Sequence, residues 1–216
     1  MQIEIINTLR NTPIKSQDLM TILGDISLGR QYRSTPAKLN ALETSGEIIR
    51  LKRGLYVLNA SQYGYPPSAP ICSNHIYGPS YLSLQWALSH YGLIPERIQT
   101  LTAVTLKHTR SFENKLGYFT YRQVPRAYYP IGITSDTMDG ASFLIATPEK
   151  ALCDLIIADT YIPSDSIRGL YRYLEEDIRF DMENLRDFDT SILTACAENG
   201  LKQSTITHLI KIIQQL

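Results

Sequence analysis

The stretch Ile48-Ile49-Arg50-Leu51-Lys52-Arg53-Gly54-Leu55-Tyr56-Val57 restricts the fold of this chain more than any other. Two short strand-like runs meet at Arg53-Gly54. Ile49, Leu51, Leu55 and Val57 can share one side of a period-2 ribbon, leaving Arg50 and Lys52 outside. Gly54 supplies the positive φ that a tight hairpin turn needs. A basic hairpin directly after a short helix suggests the wing of a winged helix.

The residues before it fit that pattern. Ile3, Ile5, Ile6 and Leu9 are spaced for a short amphipathic helix over 2–10, which Pro13 stops. Ser16 can cap a second helix with Asp18 in its first turn, Leu19, Met20, Ile22 and Leu23 as its buried side, and Gly24 at its end. Thr35 caps a third, with Pro36 at its first position and Gly46 just past its end. Leu39, Leu42 and Ala41 face inward on it. Three helices and a hairpin in under sixty residues is the winged helix-turn-helix pattern.

Charge becomes informative at this point. The whole chain has 21 Lys and Arg against 21 Asp and Glu, so it is no polycation. Residues 1–59 carry eight basic against five acidic side chains, and the remainder carries thirteen against sixteen. Arg30, Arg33, Lys38, Arg50, Lys52 and Arg53 face only Glu43 and Glu47 in the stretch around the third helix and hairpin. In a winged helix the third helix enters the major groove and the wing's cations lie on phosphate or in the minor groove. The expected DNA-binding residues are therefore Arg30, Gln31, Tyr32, Arg33, Ser34, Thr35, Lys38 and Asn40, with Arg50, Lys52 and Arg53 on the wing. Ser34 and Thr35 add hydroxyl donors to the backbone N–H groups of the helix tip. The competing reading is a winged helix used as a protein-interaction module without DNA contact.

Beyond the hairpin, Asn59 to Pro70 breaks all periodicity with three prolines and Gly64, which makes residues 60–72 the expected linker. Residues 73–216 read as a mixed α+β domain. A helix is expected over 80–91, closed by Gly92. Strands are expected over 101–107, 117–124, 128–134 and 142–146. From Thr147-Pro148 the chain reads as helical to its end, with a final helix near 204–216 carrying Leu209, Ile212, Ile213 and Leu216 on one stripe. The expected fold class is α+β: a winged helix-turn-helix over 1–59, then a domain with a small sheet and C-terminal helices.

Other chemistries find little support. Cys72, Cys153 and Cys196 are widely spaced with no C-x-x-C, which argues against a disulfide framework or zinc site and fits a reducing cytoplasm. No signal pattern opens the chain, and no apolar run approaches the length of a bilayer span. No phosphate-loop, nucleophile-elbow, zinc-protease or dinucleotide fingerprint occurs. His75 and His90 lack neighbours at nucleophile or metal-ligand spacing and read as structural histidines. Asp136, Asp139 and Asp154 could be imagined as nuclease carboxylates, but Asp136 and Asp139 flank a turn, where Asp is common for conformational reasons. Lys150 and Asp154 form an i,i+4 ion pair on the helix that begins at Pro148. Neither an enzyme nor a cofactor or metal site is expected.

Three segments carry a more specific signal. Residues 74–96, from Asn74-His75-Ile76-Tyr77-Gly78-Pro79 through Trp86 to Glu96, resemble a segment of AbiEi-type antitoxins. So does Ile145-Ala146-Thr147-Pro148-Glu149-Lys150-Ala151-Leu152-Cys153-Asp154-Leu155-Ile156. The Lys52-Arg53-Gly54-Leu55-Tyr56-Val57 run is similar to that family's wing, and the three lie in the family's order. The resemblance implies a cytoplasmic bacterial antitoxin of a type IV toxin–antitoxin, or abortive-infection, system. Such a protein represses its own operon by binding inverted repeats in double-stranded promoter DNA through the winged helix. Its second domain counteracts a nucleotidyltransferase-fold toxin encoded beside it.

Overall fold

The computed structural model describes residues 12–15, 35–61, 66–138, 140–162 and 166–216. The helices expected over 2–10 and 16–23 lie outside these residues. The fold is α+β, with two sheets and helices between and after them.

The first sheet has three strands in the order β1-β3-β2, where β1 is Ile14–Lys15, β2 is Ile48–Lys52 and β3 is Leu55–Leu58. Both pairings are antiparallel, with Ile14 opposite Tyr56, Ile48 opposite Leu58 and Ile49 opposite Val57. Helix α1 (Thr35–Thr44) precedes β2. Its end is set by Gly46 at φ +77°, and the Glu47 N–H returns to the Leu42 carbonyl. Leu39 and Leu42 are buried beneath α1, as their spacing requires, whereas Ala41 is only half-buried.

The hairpin turn falls at Arg53-Gly54, and Gly54 sits at φ +79° with open space around a hypothetical Cβ. A side chain at Gly54 would therefore meet backbone strain but no clash. Gly54→Ala should lower the unfolding free energy by about 1 kcal/mol, seen in chemical denaturation. A wild-type midpoint in that variant would contradict the turn geometry.

The alternation along the hairpin has a structural meaning that the sequence left open. Ile49, Leu51, Leu55 and Val57 are buried, but in one continuous core with the second sheet and its helices. Ile48 and Tyr56 point the other way, toward α1. The small sheet is thus packed on both faces. Asn114 Nδ2 donates to the Leu51 carbonyl at 3.1 Å, tying β2 to the second sheet.

The expected linker of 60–72 contains the start of a helix. Helix α2 (Ala69–Ile76) begins inside it, started by Pro70 near its first turn and burying Ile71, Cys72 and Ile76. Pro70 interrupts the sequence pattern because it sits in the first turn of this helix, where a fixed φ and a missing N–H are tolerated.

The second sheet has six strands in the order β6-β7-β5-β4-β9-β8. These are β4 (Ser80–Leu82), β5 (Leu101–Thr105), β6 (Arg110–Asn114), β7 (Gly117–Gln123), β8 (Ile133–Met138) and β9 (Ala141–Ala146). β4 pairs antiparallel with β5 and parallel with β9, and β5 pairs parallel with β7. Hairpins add β6 and β8 at the two edges. Strands β5, β7 and β9 match the expected ones. The run 128–134 does not: Tyr128 to Gly132 form turns and β8 starts at Ile133. Pro130 has no N–H to donate, and Tyr128 is drawn wholly into the core. Asp136 consequently lies within β8 and does not flank a turn.

Helix α3 spans Leu84–His90, so the first three residues of the expected helix, Ser80 to Leu82, are strand instead. Helix α4 (Pro148–Ala158) starts as its sequence dictates, with Thr147 accepting from the Lys150 N–H. It is followed by α5 (Ile167–Arg172), a π-helical turn (Tyr173–Asp177), a 3-10 turn (Met182–Asp187), α6 (Thr190–Asn199) and α7 (Gln203–Ile213). Leu209 and Ile212 of α7 are buried, Ile213 packs at the rim of the core, and Leu216 is exposed. No helix among the described residues is long and apolar enough to cross a membrane.

Candidate nucleic-acid interface

A groove of about 430 Å³ lies between α1 and the hairpin, lined by Pro36, Leu39, Asn40, Glu43, Arg50, Arg53, Gly54 and Tyr56. Its origin is local. Helix α1 leads into β2 through a turn of three residues, Ser45 to Glu47, so the helix and the hairpin tip stay side by side. Tyr56 is buried and forms the groove's floor, an assignment the alternation of β3 could have yielded. Arg50 and Arg53 are exposed on the hairpin, and Asn40 is exposed on the helix across from them.

Among the described residues, no ion pair joins Arg50 or Arg53 to a carboxylate. Two guanidiniums held on a short hairpin, with all their donors available, suit phosphate oxygens, which they can engage bidentately. Among the described residues Glu43 is the one acid lining the groove, and it opposes such a ligand.

The expected site residues other than Lys52 divide into three groups. Arg50, Arg53 and Asn40 are brought together in the groove. Lys38 is half-buried on α1 and does not line it. Arg30, Gln31, Tyr32, Arg33 and Ser34 lie outside the described residues, as does the Thr35 side chain.

Lys52 behaves differently from its two neighbours. Its Nζ donates to the Ile76 carbonyl at the end of α2, so it reaches toward the second sheet and away from the groove. The ladder between β2 and β3 is irregular between Arg50 and Lys52, which separates their directions. Burial, then the charges of Lys107 and Arg110, hold the Lys52 ammonium below the usual lysine range.

The two segments of the AbiEi resemblance outside the wing meet each other in the interior. Leu82 pairs with Ile145, and Ser83 Oγ donates to Asp154 Oδ2 at 2.6 Å. Tyr91 donates to the Ala146 carbonyl at 2.9 Å, and at the exposed rim, one residue before the second segment, Asn74 both donates to and accepts from the Leu144 backbone. At the centre is the Lys150–Asp154 ion pair, 3.1 Å apart. The i,i+4 spacing predicts an ordinary helical pair, yet both side chains are essentially inaccessible, at 0% and 1%. Tyr128 OH donates to Asp154 Oδ1 at 2.7 Å, while Lys150 Nζ lies 3.0 Å from the centre of the Tyr128 ring. Burial, reinforced by the Asp154 charge, pushes the Tyr81 and Tyr128 phenols far up, so Tyr128 remains a donor. Every oxygen of Asp154 is satisfied from protein, and no solvent or substrate reaches it. Its role is to hold α4 against β4 and the 125–132 turn.

The remaining candidates stay apart. His75 is exposed in the last turn of α2. His90 bonds Asp136 across 2.6 Å and stacks on Trp86 at 5.1 Å, and this bond holds the Asp136 carboxyl below its usual range. Asp154 is far from this pair in role, being sealed in the core, and Asp139 lies outside the described residues. No group of three or more His, Cys, Asp and Glu among the described residues is placed to hold a metal ion. Cys72, Cys153 and Cys196 are all buried and free.

No protein-family model matches the chain, and no curated protein matches it.

Proposed function

We propose that this protein is a DNA-binding transcriptional autorepressor of the AbiEi type, whose second domain acts as the antitoxin against a nucleotidyltransferase-fold toxin encoded beside it. The observation that carries the DNA half is the groove between α1 and the hairpin, with Arg50 and Arg53 on its rim and, among the described residues, no carboxylate paired to either. The β1-β3-β2 sheet order supports the same reading, because a winged helix feeds its wing from a helix into β2 and closes it with β3 beside β1. The antitoxin half rests on the resemblance of residues 74–96 and 145–156. These two segments build one buried unit, consistent with their serving as a scaffold.

The chain's own upstream DNA is the expected target, with inverted repeats as half-sites. In a gel shift the affinity should fall steeply with salt, log K changing by roughly −0.9 per phosphate neutralised for each unit of log salt. Absence of any shift on the upstream fragment, together with stable co-purification of the neighbouring gene product, would leave a winged-helix interaction module in its place. Co-expression with a downstream nucleotidyltransferase-like gene tests the second half: growth restored by this chain supports it, and toxicity unchanged by it removes it.

A further inference from the structure

We propose that the phosphate-binding surface does not end at the wing but continues onto the second sheet, at a site built by Lys107 and Arg110 beside Lys52, and that its ligand is the sugar-phosphate backbone of the same duplex. This rests on the DNA-binding reading above and extends it to residues beyond the wing.

The site has an aromatic floor and a cationic rim. Tyr77, in the turn after α2, and Phe112, on β6, have ring centroids 5.4 Å apart. Lys107 Nζ lies over the Tyr77 ring at 5.2 Å, and the Arg110 guanidinium lies over the Phe112 ring at 5.0 Å. The rings fix two otherwise long and mobile side chains, so less rotamer freedom is lost when a ligand binds. Lys107 is anchored further by donating to the Gly78 carbonyl, and Lys52 by donating to the Ile76 carbonyl two residues earlier. Each ammonium has three N–H donors and keeps others for a ligand.

The three cations are close enough to repel. Lys107 and Arg110 are the two charges that act on Lys52, and both act against its protonation. Among the described residues no ion pair neutralises any of the three. Glu113, the nearest acid in sequence, falls on the other face of β6, since Arg110, Phe112 and Asn114 alternate with Ser111 and Glu113. A cluster of like charges gathered without a counter-ion is destabilising in itself and is relieved by an anion with several oxygens.

Continuity with the wing identifies which anion. Asn114, on the same strand and face as Arg110, is bonded to Leu51, and Lys52 is the next residue along β2 before Arg53 at the turn. Lys52, which turns from the groove toward the second sheet, and Arg53 at the turn belong to one hairpin, so the patch and the groove adjoin along it. Sequence spacing hides this patch, because Lys107 and Arg110 follow the Arg53-Gly54 turn by more than fifty residues.

The test is a salt titration of duplex binding by three proteins: the wild type, Lys107→Ala/Arg110→Ala, and Arg50→Ala/Arg53→Ala, each first checked for an unchanged melting temperature. The probes are the upstream fragment and an unrelated duplex of equal length. The expected result for Lys107→Ala/Arg110→Ala is an affinity about tenfold or more below wild type on both duplexes, with the salt slope flattened by about 1.8, the equivalent of two phosphates. Lys107→Arg should retain most of the binding, since the charge and ring contact persist. If Arg50→Ala/Arg53→Ala loses binding while Lys107→Ala/Arg110→Ala keeps the wild-type affinity and slope, this inference is overturned and the wing reading stands. If the wild type binds neither duplex even at low salt, both fall together.

Discussion

Asp154→Ala should lower the unfolding free energy by about 3–5 kcal/mol, read by urea or guanidinium denaturation. The Asp154 side chain is 1% exposed, and its carboxylate accepts from Ser83 and Tyr128 while facing Lys150 across 3.1 Å. Removing it leaves a buried ammonium without its counter-charge and strands two buried hydroxyls. For a domain of this size that corresponds to a melting temperature lower by roughly 6–20 °C. The paired change Lys150→Met/Asp154→Leu should recover part of the loss, because a buried ion pair exchanged for apolar groups of similar volume is often close to neutral. Full recovery should also need Tyr128→Phe and Ser83→Ala, since each orphaned hydroxyl costs about 1–3 kcal/mol. A single Asp154→Ala variant within 1 kcal/mol of wild type would show that solvent reaches this network after all.

Arg50→Ala/Arg53→Ala should weaken binding to the upstream DNA by roughly 30- to 1000-fold at fixed salt, from the loss of two charge-assisted contacts worth about 2–4 kcal/mol together. The salt slope should flatten by about 1.8. Both side chains are exposed and outside every buried cluster, so thermal stability should stay within about 2 °C of wild type. Lys52→Ala should behave in the opposite sense for stability. It removes the contact to the Ile76 carbonyl, and its loss is felt in denaturation even without DNA. The comparison separates residues proposed to contact DNA from one that braces the hairpin against the second sheet. Equal affinity of wild type and the double arginine variant would remove the groove from the interface.

The features legible in the sequence were those with a local cause. Thr147-Pro148 marks a helix start because a hydroxyl cap and a fixed φ act within one turn, and the structure starts α4 there. The hairpin at Arg53-Gly54 needs only a positive φ and alternation. What escaped depends on distant partners. β4 is three residues long and buried on every side between β5 and β9, so it shows no alternation and merges with the helical pattern that follows. β6 is a polar edge strand, Arg-Ser-Phe-Glu-Asn, whose composition reads as loop until β7 pairs with it. The Lys150–Asp154 spacing was visible, but its burial is set by Ser83 and Tyr128, 71 and 26 residues from Asp154. For the candidate site, Arg50, Arg53 and Asn40 converge as the pattern implied. Lys52 departs because an irregular ladder and a carbonyl 24 residues away redirect it.

The small sheet filled on both faces also determines how the molecule can be divided. A fragment ending near residue 59 would carry Ile49, Leu51, Leu55 and Val57 into water, a contiguous greasy strip prone to self-association. Nor is the hairpin free to swing apart from the six-stranded sheet, because the two share that core. On the proposed reading, a hairpin seated on an operator would set the six-stranded sheet down with it at one fixed angle, and the spacing of neighbouring half-sites would dictate which surfaces of two adjacent copies confront each other.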